Sequence, residues 1–209
     1  MAFETWLAFV AASTVMLMIP GPTLLTVISY SVAHGRRARW PLVAGVALGD
    51  STALVVSLVG LGSLLAASAT AFTVVKWIGG LYLLWLGFSM LRAGVIPSSV
   101  APRAAPASMG RLFANTWLVT ALNPKGIIFF VAFLPQFLTP GQPVTPQLWL
   151  LATTFVVLAA LNAAGYAIFA GAARRLFASA RALKRFNLVG GSLLSAAGIW
   201  ALLARRTSV

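Results

Sequence analysis

The chain has 209 residues, of which 60% are hydrophobic and only 8% are charged. A soluble domain carries about 25% charged residues, so this composition excludes a soluble globular protein and indicates an integral membrane protein. The lack of cysteine excludes disulfides and thiolate metal sites, and one histidine with two acidic residues leaves little for the acid–base chemistry of an enzyme.

The net charge of +13 does not indicate a nucleic-acid-binding protein, because the basic residues stand at the ends of apolar stretches and do not form one face. Basic residues at such places orient a membrane protein. Most of the 15 Lys and Arg residues lie in the first, third and fifth connections between apolar stretches. The positive-inside rule therefore predicts that these connections face the cytoplasm and that both termini face outward.

Six apolar stretches follow one another, each suited to a membrane-spanning helix of about 20 residues. They cover residues 4–32, 41–66, 72–92, 112–138, 147–172 and 186–204. Lipid offers backbone groups no water, so each stretch is predicted to be helical. The first stretch lacks the basic start of a signal peptide and contains Glu4, so it is predicted to be an uncleaved span.

A Pro-, Ala- and Ser-rich segment divides the chain into two halves of three spans. The predicted units are a first three-helix repeat at 1–93, a cytoplasmic connection at 94–111 and a second three-helix repeat at 112–209. A segment of this composition is typical of a flexible connection.

The two halves resemble each other in sequence. Residues 75–80 end in two glycines and are followed by Gly87, and residues 186–191 end in two glycines and are followed at the same spacing by Gly198. Three spans is an odd number, so the second copy must insert upside down. This pattern predicts an inverted repeat, a common plan of transporters, although glycine pairs also recur by chance in apolar helices.

Each repeat has a proline motif inside its first span: Pro20-Gly21-Pro22, and then Asn123-Pro124-Lys125. Proline removes backbone hydrogen bonds, so the first helix of each repeat is predicted to be broken there, with a simple kink as the alternative. A break frees carbonyl and amide groups for a ligand. The half-helix that starts near Thr23 would direct its amino end at an anion, and the Thr23 hydroxyl would add a polar group.

Lys125 and Asp50 carry charge at positions where a bilayer has hydrocarbon. Inserting a charged side chain at that depth costs about 2.5–3.5 kcal/mol of free energy, so the charge is expected to bind or transport a solute or ion. With a helical rise of about 1.5 Å per residue, Asp50, Lys125, Gly21 and Asn162 reach similar depths near the midplane, where transporter sites lie. The structural alternatives are an ion pair for Asp50 and a helix–helix hydrogen bond for Asn162. Gly45 and Gly49 more simply indicate close helix packing.

The opposite charges of Asp50 and Lys125 suit a zwitterion. Lys125, together with the amino ends of half-helices, would hold a carboxylate, and Asp50, together with carbonyls freed by the prolines, would hold an ammonium group. Without substrate the two side chains would pair with each other. Asp50 is also the candidate proton carrier, because Glu4 lies at the outer end of its span.

A family resemblance rests on motifs that occur in order along nearly the whole chain. They are Pro20-Gly21-Pro22, Gly35-Arg36-Arg37-Ala38, Gly45-Val46-Ala47-Leu48-Gly49-Asp50, the run GLYLLWLG at 80–87, Asn123-Pro124-Lys125 and Leu134-Pro135-Gln136-Phe137. Together they resemble the lysine exporter / homoserine–threonine exporter family. The resemblance implies a six-span bacterial inner-membrane protein that exports amino acids or close derivatives with the proton gradient. Its termini would then be periplasmic.

The sequence thus predicts an all-α integral membrane protein of six transmembrane helices, arranged as two inverted three-helix repeats. Its expected partners are an amino-acid substrate, protons and the lipid bilayer, with no cofactor, no metal and no nucleic acid. A homo-oligomer is compatible with the sequence. The alternatives are a passive channel and an exporter of another small solute, including cations, although a single buried carboxylate is a poor ligand set for a metal ion.

Overall fold

The computed structural model describes residues 1–67, 69–92, 108–139 and 141–203. Within these ranges the secondary structure is helical and contains no β-strand, which confirms the predicted all-α class. The helices are α1 Phe3–Met18, α2 Pro22–His34, α3 Arg39–Ala67, α4 Ala69–Arg92, α5 Met109–Ala121, α6 Pro124–Ile128, α7 Val144–Ile168, α8 Ala170–Ala178 and α9 Ala180–Leu203.

Three tight helical turns complete these elements. A 3₁₀ turn at Gly35–Ala38 links α2 to α3, a π turn follows α6 at Phe129–Phe133, and a second 3₁₀ turn covers Leu134–Phe137. Gly35 ends α2 with a φ of 62°, a left-handed conformation that glycine adopts without strain.

Both proline motifs interrupt their helices, as predicted. In the first break, α1 ends at Met18, the backbone at Ile19 and Gly21 is extended, and Pro22 is the first residue of α2. In the second break, α5 ends at Ala121 and Pro124 is the first residue of α6. Proline suits this first position, because its missing N–H has no intrahelical partner there.

Two helical stretches of the described chain, Pro22–Gly60 and Val144–Ile168, are long and apolar enough to cross a membrane. The pair Met109–Ala121 and Pro124–Phe137 forms a third candidate if its 42° bend lies within one span, and Phe3–Met18 is a shorter apolar helix. The complete set of six spans stays a prediction. The predicted connection at 94–111 lies outside the described residues as far as residue 107.

Two predicted boundaries near the carboxyl end differ from the structure. The fifth stretch was expected to reach residue 172, but α7 ends at Ile168 and α8 follows it. The last helix begins at Ala180 and includes basic residues that the sequence assigned to a connection. Lys and Arg are good helix formers, so basic residues mark the edge of the membrane more reliably than the end of a helix.

Helices α3 and α5 run in the same direction and are in close contact through glycine. A Cβ atom at Gly45 would lie 2.9 Å from Thr116 Cβ, and a Cβ atom at Gly49 would lie 2.5 Å from Thr120 Cβ. Both distances are shorter than carbon atoms tolerate, so these glycines are needed for the close approach. The predicted packing role of the two glycines is confirmed.

Helices α4 and α9 run in opposite directions and are also packed through glycines. A Cβ atom at Gly198 would lie 2.9 Å from the carbonyl oxygen of Gly80, and one at Gly191 would lie 2.7 Å from the carbonyl oxygen of Gly87. These are the glycines whose spacing the sequence repeats in its two halves.

Hydrogen bonds fix two further directions. Trp6 Nε1 donates to Thr154 Oγ1 and Asn162 Nδ2 donates to the Leu17 carbonyl, so α1 and α7 run in the same direction. Asn115 Nδ2 donates to the Tyr30 hydroxyl at 3.2 Å, near the end of α2 and the start of α5. The opposite ends of α2 and α5 meet at the two breaks, so these helices run in opposite directions.

A cluster of phenylalanine rings packs α1 and α7 against the π turn. Phe129 lies 5.0 Å from Phe133 and 5.4 Å from Phe155 between ring centroids, and Phe9 lies 5.2 Å from Phe137. Aromatic pairs at these distances add to the stability that apolar burial provides. The cluster packs the continuation of the second broken helix against α1 and α7.

Candidate functional site

A small cavity lies where the two breaks meet α3 and α7. Its volume is about 40 Å³, and its lining includes Gly21, Thr23, Asp50, Asn123, Lys125 and Asn162. These are six of the nine residues that the sequence proposed for the site. The other three are the prolines: Pro22 and Pro124 begin α2 and α6, and Pro20 lies in the first break.

The first break leaves backbone carbonyls at the end of α1 without their usual partners. In a continuous helix the Met16 carbonyl would accept from the N–H of residue 20, and Pro20 has none. The Lys125 side chain supplies the missing donor: its Nζ donates to the Met16 carbonyl at 3.1 Å and to the Ile19 carbonyl at 2.9 Å. The sequence predicts a different partner for these carbonyls, a substrate ammonium held together with Asp50.

Asn162 satisfies another carbonyl of the same helix end. Its Nδ2 donates to the Leu17 carbonyl at 3.2 Å. This is the helix–helix hydrogen bond that the sequence left as the alternative for Asn162. The bond ties α7 to the first break, at the wall of the cavity.

In the second break, a residue of the break itself, Asn123, caps the helix that follows. Asn123 Oδ1 accepts from the backbone N–H of Lys125 at 3.1 Å, as a helix N-cap does. Its Nδ2 donates to Thr23 Oγ1 at 3.2 Å. Asn123 therefore holds the start of α6 and also links the second break to the start of α2.

The amino end of α2 has no comparable cap. Gly21 precedes it in an extended conformation and offers no side-chain acceptor. The first amides of a helix have no intrahelical partners and lie at the positive end of its dipole. Thr23 and Leu24, the first α2 residues with an N–H, both line the cavity.

Asp50 faces the cavity from α3 and interacts electrostatically with Lys125. It is buried, with 7% of its surface exposed. Two glycines leave room around these charges. A Cβ atom at Gly126 would lie 4.0 Å from Asp50 Oδ1, and one at Gly21 would lie 3.4 Å from Lys125 Nζ.

Sequence reasoning missed the backbone groups that hold Lys125. The carbonyls of Met16, Leu17 and Ile19 accept from side chains of distant helices. Met16 stands four residues before Pro20, so this spacing alone shows that its carbonyl lacks the usual helical donor. In the structure the Ile19 N–H donates to the same carbonyl at 3.3 Å. The apolar part of the wall was also missed, because Val27, Phe155 and similar residues are ordinary in a membrane helix.

No cluster of three or more His, Cys, Asp or Glu side chains occurs in the described part of the chain. The polar groups that surround the cavity are one carboxylate, one ammonium, two amides, one hydroxyl and backbone groups. Such a set can bind a small molecule that carries both charges.

Comparison with known proteins gives the family. The chain matches the family model of the LysE type translocator over residues 14–205. It is 36% identical over 205 residues to the homoserine/homoserine lactone efflux protein of Salmonella typhi, with 98% of each chain covered. It is 27% identical over 164 residues to the leucine efflux protein of Enterobacter sp. (strain 638), with 78% of each chain covered.

An uncharacterized membrane protein of Vibrio cholerae is 32% identical over 199 residues, which cover 95% of this chain and 97% of that protein. No solved structure matches the chain. The family match extends across both helix breaks and every residue of the cavity. The chain therefore belongs to the LysE-type translocator family, whose members are multi-pass membrane transporters and not enzymes.

Proposed function

We propose that this protein is a secondary active exporter of amino acids or close derivatives, driven by protons and located in the bacterial inner membrane. The observation that carries the proposal is the buried pair of opposite charges, Asp50 and Lys125, in a cavity where two broken helices meet. The similarity to homoserine and leucine efflux proteins supports the substrate class.

A zwitterion fits this cavity electrostatically. Asp50 and Lys125 together carry no net charge when both are ionised, and an amino acid adds none. Each charged group of the substrate then has an oppositely charged partner, which offsets the cost of taking ions out of water. The nine predicted site residues surround or form the two breaks, and we assign substrate binding to them: Pro20, Gly21, Pro22, Thr23, Asp50, Asn123, Pro124, Lys125 and Asn162.

Transport needs the cavity to open. The cavity volume of about 40 Å³ is far below the roughly 300–1,000 Å³ that is typical of small-molecule pockets. An amino acid does not fit unless the helices separate. The small cavity is consistent with alternating access, in which the two repeats rock around a central site and expose it to one side at a time.

The glycine contacts support the inverted repeat. Aligning the two repeated sequences equates Gly80 with Gly191 and Gly87 with Gly198. A two-fold axis would convert a Gly80–Gly198 contact into a Gly191–Gly87 contact, and both contacts are present. The directions of the other helix pairs also agree with six spans that alternate across the membrane.

Asp50 is the candidate proton carrier. The chain has two acidic residues, and Glu4 lies in the exposed first turn of α1, far along the helix from the breaks. We propose that Asp50 takes up a proton when the site faces outward and releases it when the site faces the cytoplasm. The charge asymmetry of the connections orients the chain with both termini in the periplasm.

The test is uptake of labelled homoserine and leucine into inverted membrane vesicles with an acid-inside proton gradient. The unmodified protein should accumulate substrate and stop when the gradient is collapsed. Asp50→Asn should lower gradient-driven uptake by about tenfold or more and Lys125→Gln by about 100-fold, equivalent to about 1.4 and 2.7 kcal/mol. Normal uptake by either variant, at normal protein levels in the membrane, would refute the site.

The same measurement separates the exporter from a passive channel. A channel would equilibrate substrate without a gradient, and its flux would survive Asp50→Asn. Accumulation against a concentration difference, which disappears with the gradient, identifies the exporter.

A further inference from the structure

Two carbonyl oxygens converge on one ammonium group at the first break. Lys125 Nζ donates to Met16 O at 3.1 Å and to Ile19 O at 2.9 Å. Met16 and Ile19 are buried, so water does not readily replace this partner. Met16 O has lost its usual donor, because Pro20 has no N–H, and it also accepts from the Ile19 N–H at 3.3 Å. The backbone at the end of α1 and at the break thus fixes the position of both acceptors. They will accept from any primary ammonium group of suitable reach.

The same break presents the complementary pair of charges. The carboxyl end of α1 is the negative end of a helix dipole and the amino end of α2 is the positive end. Only the break itself, residues 19–21, separates the two ends. An amino acid has its ammonium and carboxylate on one carbon atom, so both helix ends lie within reach of a single molecule.

From this geometry, and resting on the proposed function, we propose that Lys125 is an internal cation that occupies the ammonium subsite of the substrate. Binding is an exchange. The substrate ammonium replaces Lys125 Nζ on the carbonyls of Met16 and Ile19, and the released Lys125 side chain binds the substrate carboxylate. The amino end of α2 at Thr23 and Leu24 completes the carboxylate subsite.

The surroundings of Lys125 allow such a movement. The lysine stem has four carbons and rotates freely, unlike the planar group of arginine. Gly21 lies directly beside it, and a Cβ there would come within 3.4 Å of Nζ and 3.6 Å of Cε. Asp50 interacts with the lysine from the side of α3, so the ammonium retains a charged partner after it leaves the carbonyls.

The exchange also links substrate binding to the contact between the two halves of the chain. Lys125 belongs to the second half of the chain, and its two acceptors belong to the first. While the lysine holds these carbonyls, it ties the halves together. A substrate that takes over the carbonyls removes this tie at the moment of binding.

The test compares homoserine with homoserine lactone. Both carry an ammonium group, and only homoserine carries a carboxylate. N-acetylhomoserine, which has the carboxylate and lacks the ammonium, is the third ligand. Dissociation constants are measured on purified protein by ligand-dependent thermal stabilisation, which reports binding even when a variant does not transport.

In Lys125→Met no side chain competes with the substrate ammonium for the carbonyls of Met16 and Ile19. The substrate carboxylate, in turn, has lost the ammonium group that would bind it. Homoserine should bind about tenfold more weakly than to the unmodified protein, and the lactone should bind about tenfold more tightly, each change equal to about 1.4 kcal/mol. N-acetylhomoserine should bind to neither protein. An unchanged ratio of the two affinities would overturn the exchange.

A second variant controls for misfolding of Lys125→Met. It also tests the effect of the ammonium charge separately from the effect of the substitution. The chain has no native cysteine, so Lys125→Cys can be modified at one site only. Aminoethylation of this cysteine restores a lysine-like ammonium and should restore homoserine preference, whereas methylation should retain the preference for the lactone. Equal behaviour of the two modified proteins would overturn the proposal.

The outcomes also separate this inference from the proposed function. Export of amino acids by the unmodified protein, together with no gain of lactone affinity in Lys125→Met, would reject the exchange and leave the exporter. No amino-acid export by the unmodified protein would reject the exporter itself.

Discussion

The two helix breaks share a proline at the start of the following helix, but their unpaired backbone groups find different partners. At the second break, Asn123 caps α6 from within the same segment, by accepting from the Lys125 N–H. At the first break, side chains of other helices donate to the carbonyls: Lys125 of α6 donates to Met16 O, which also accepts from the Ile19 N–H, and Asn162 of α7 donates to Leu17 O.

This difference indicates separate roles. A break that is capped locally keeps its shape when the surrounding helices move. A break whose carbonyls are held by side chains from other helices is released when those side chains move, and its acceptors then become available to a ligand. In the proposed exchange, the second break supplies the cation, Lys125, and the first break supplies the carbonyl acceptors that it releases to the substrate.

The largest expected effect comes from removing the cation. Lys125→Gln should lower export by about 100-fold, equivalent to about 2.7 kcal/mol, because hydrogen bonds to a charged group contribute about 1.5–3 kcal/mol. Lys125→Arg should fail as well, because a planar guanidinium does not replace a compact ammonium between two carbonyls. Initial rates of homoserine uptake in proteoliposomes check both variants, and full activity of the arginine variant would contradict the geometry.

Removing the carboxylate should change coupling more than binding. In Asp50→Asn, gradient-driven accumulation should fall about tenfold or more, equal to about 1.4 kcal/mol. Exchange of labelled for unlabelled homoserine across the membrane, without a gradient, should persist, because an exchange cycle needs no net proton movement. Accumulation at the normal rate would assign the proton to another group.

A side chain added at the first break should weaken homoserine binding without affecting folding. Gly21 has an extended backbone that alanine adopts freely, and the added methyl group would lie 3.4 Å from Lys125 Nζ. Gly21→Ala should therefore raise the half-saturating homoserine concentration by about threefold to tenfold, or about 0.7–1.4 kcal/mol. Gly165→Ala is the matched control, since in the described part of the chain no atom outside the neighbouring helix backbone lies within 4 Å of a Cβ at that position.

Loss of the local cap should affect both stability and export. Asn123→Ala should destabilise the fold by about 0.5–2 kcal/mol, the usual cost of losing an N-cap. Ser108→Ala removes the N-cap of α5, where Ser108 Oγ accepts from the Arg111 N–H. Thermal denaturation in detergent should show similar losses for the two variants, and only Asn123→Ala should slow transport. Equal transport by both would assign Asn123 to stability alone.

The smallest effect is expected at Asn162. Asn162→Ala leaves the Leu17 carbonyl without its donor, at a cost of about 1 kcal/mol. Thr154→Val removes the Trp6–Thr154 hydrogen bond between the same two helices and is the matched control. If Asn162 shapes the first break, its variant should lower homoserine affinity about twofold to threefold, by about 0.4–0.7 kcal/mol, and the control should leave it unchanged.

Much of the site is predictable because polar side chains and prolines are unusual within apolar, membrane-spanning stretches. Asp50, Lys125 and Asn162 carry polar groups in apolar helices, and proline identifies both breaks. The glycine spacing also predicted close packing. These inferences use only the local chemistry of the chain and the known cost of exposing it to hydrocarbon.

The partners of these groups were not predictable, because a sequence gives the depth of a residue but not the direction that its side chain takes. The expected ion pair assigned Lys125 to Asp50, and the structure gives its hydrogen bonds to the carbonyls of Met16 and Ile19. The π turn at Phe129–Phe133 was also missed, since a run of apolar residues carries no signal of a change in helix type.

The most direct test of the account is a disulfide between the two breaks. Thr23 Oγ1 and Asn123 Nδ2 are 3.2 Å apart, and the chain has no other cysteine, so Thr23→Cys with Asn123→Cys can form one defined cross-link. In proteoliposomes, oxidation should link the two residues and stop homoserine export, and reduction should restore it. Export by the cross-linked protein at the same rate as the reduced protein would contradict a transport cycle in which the two breaks meet and separate.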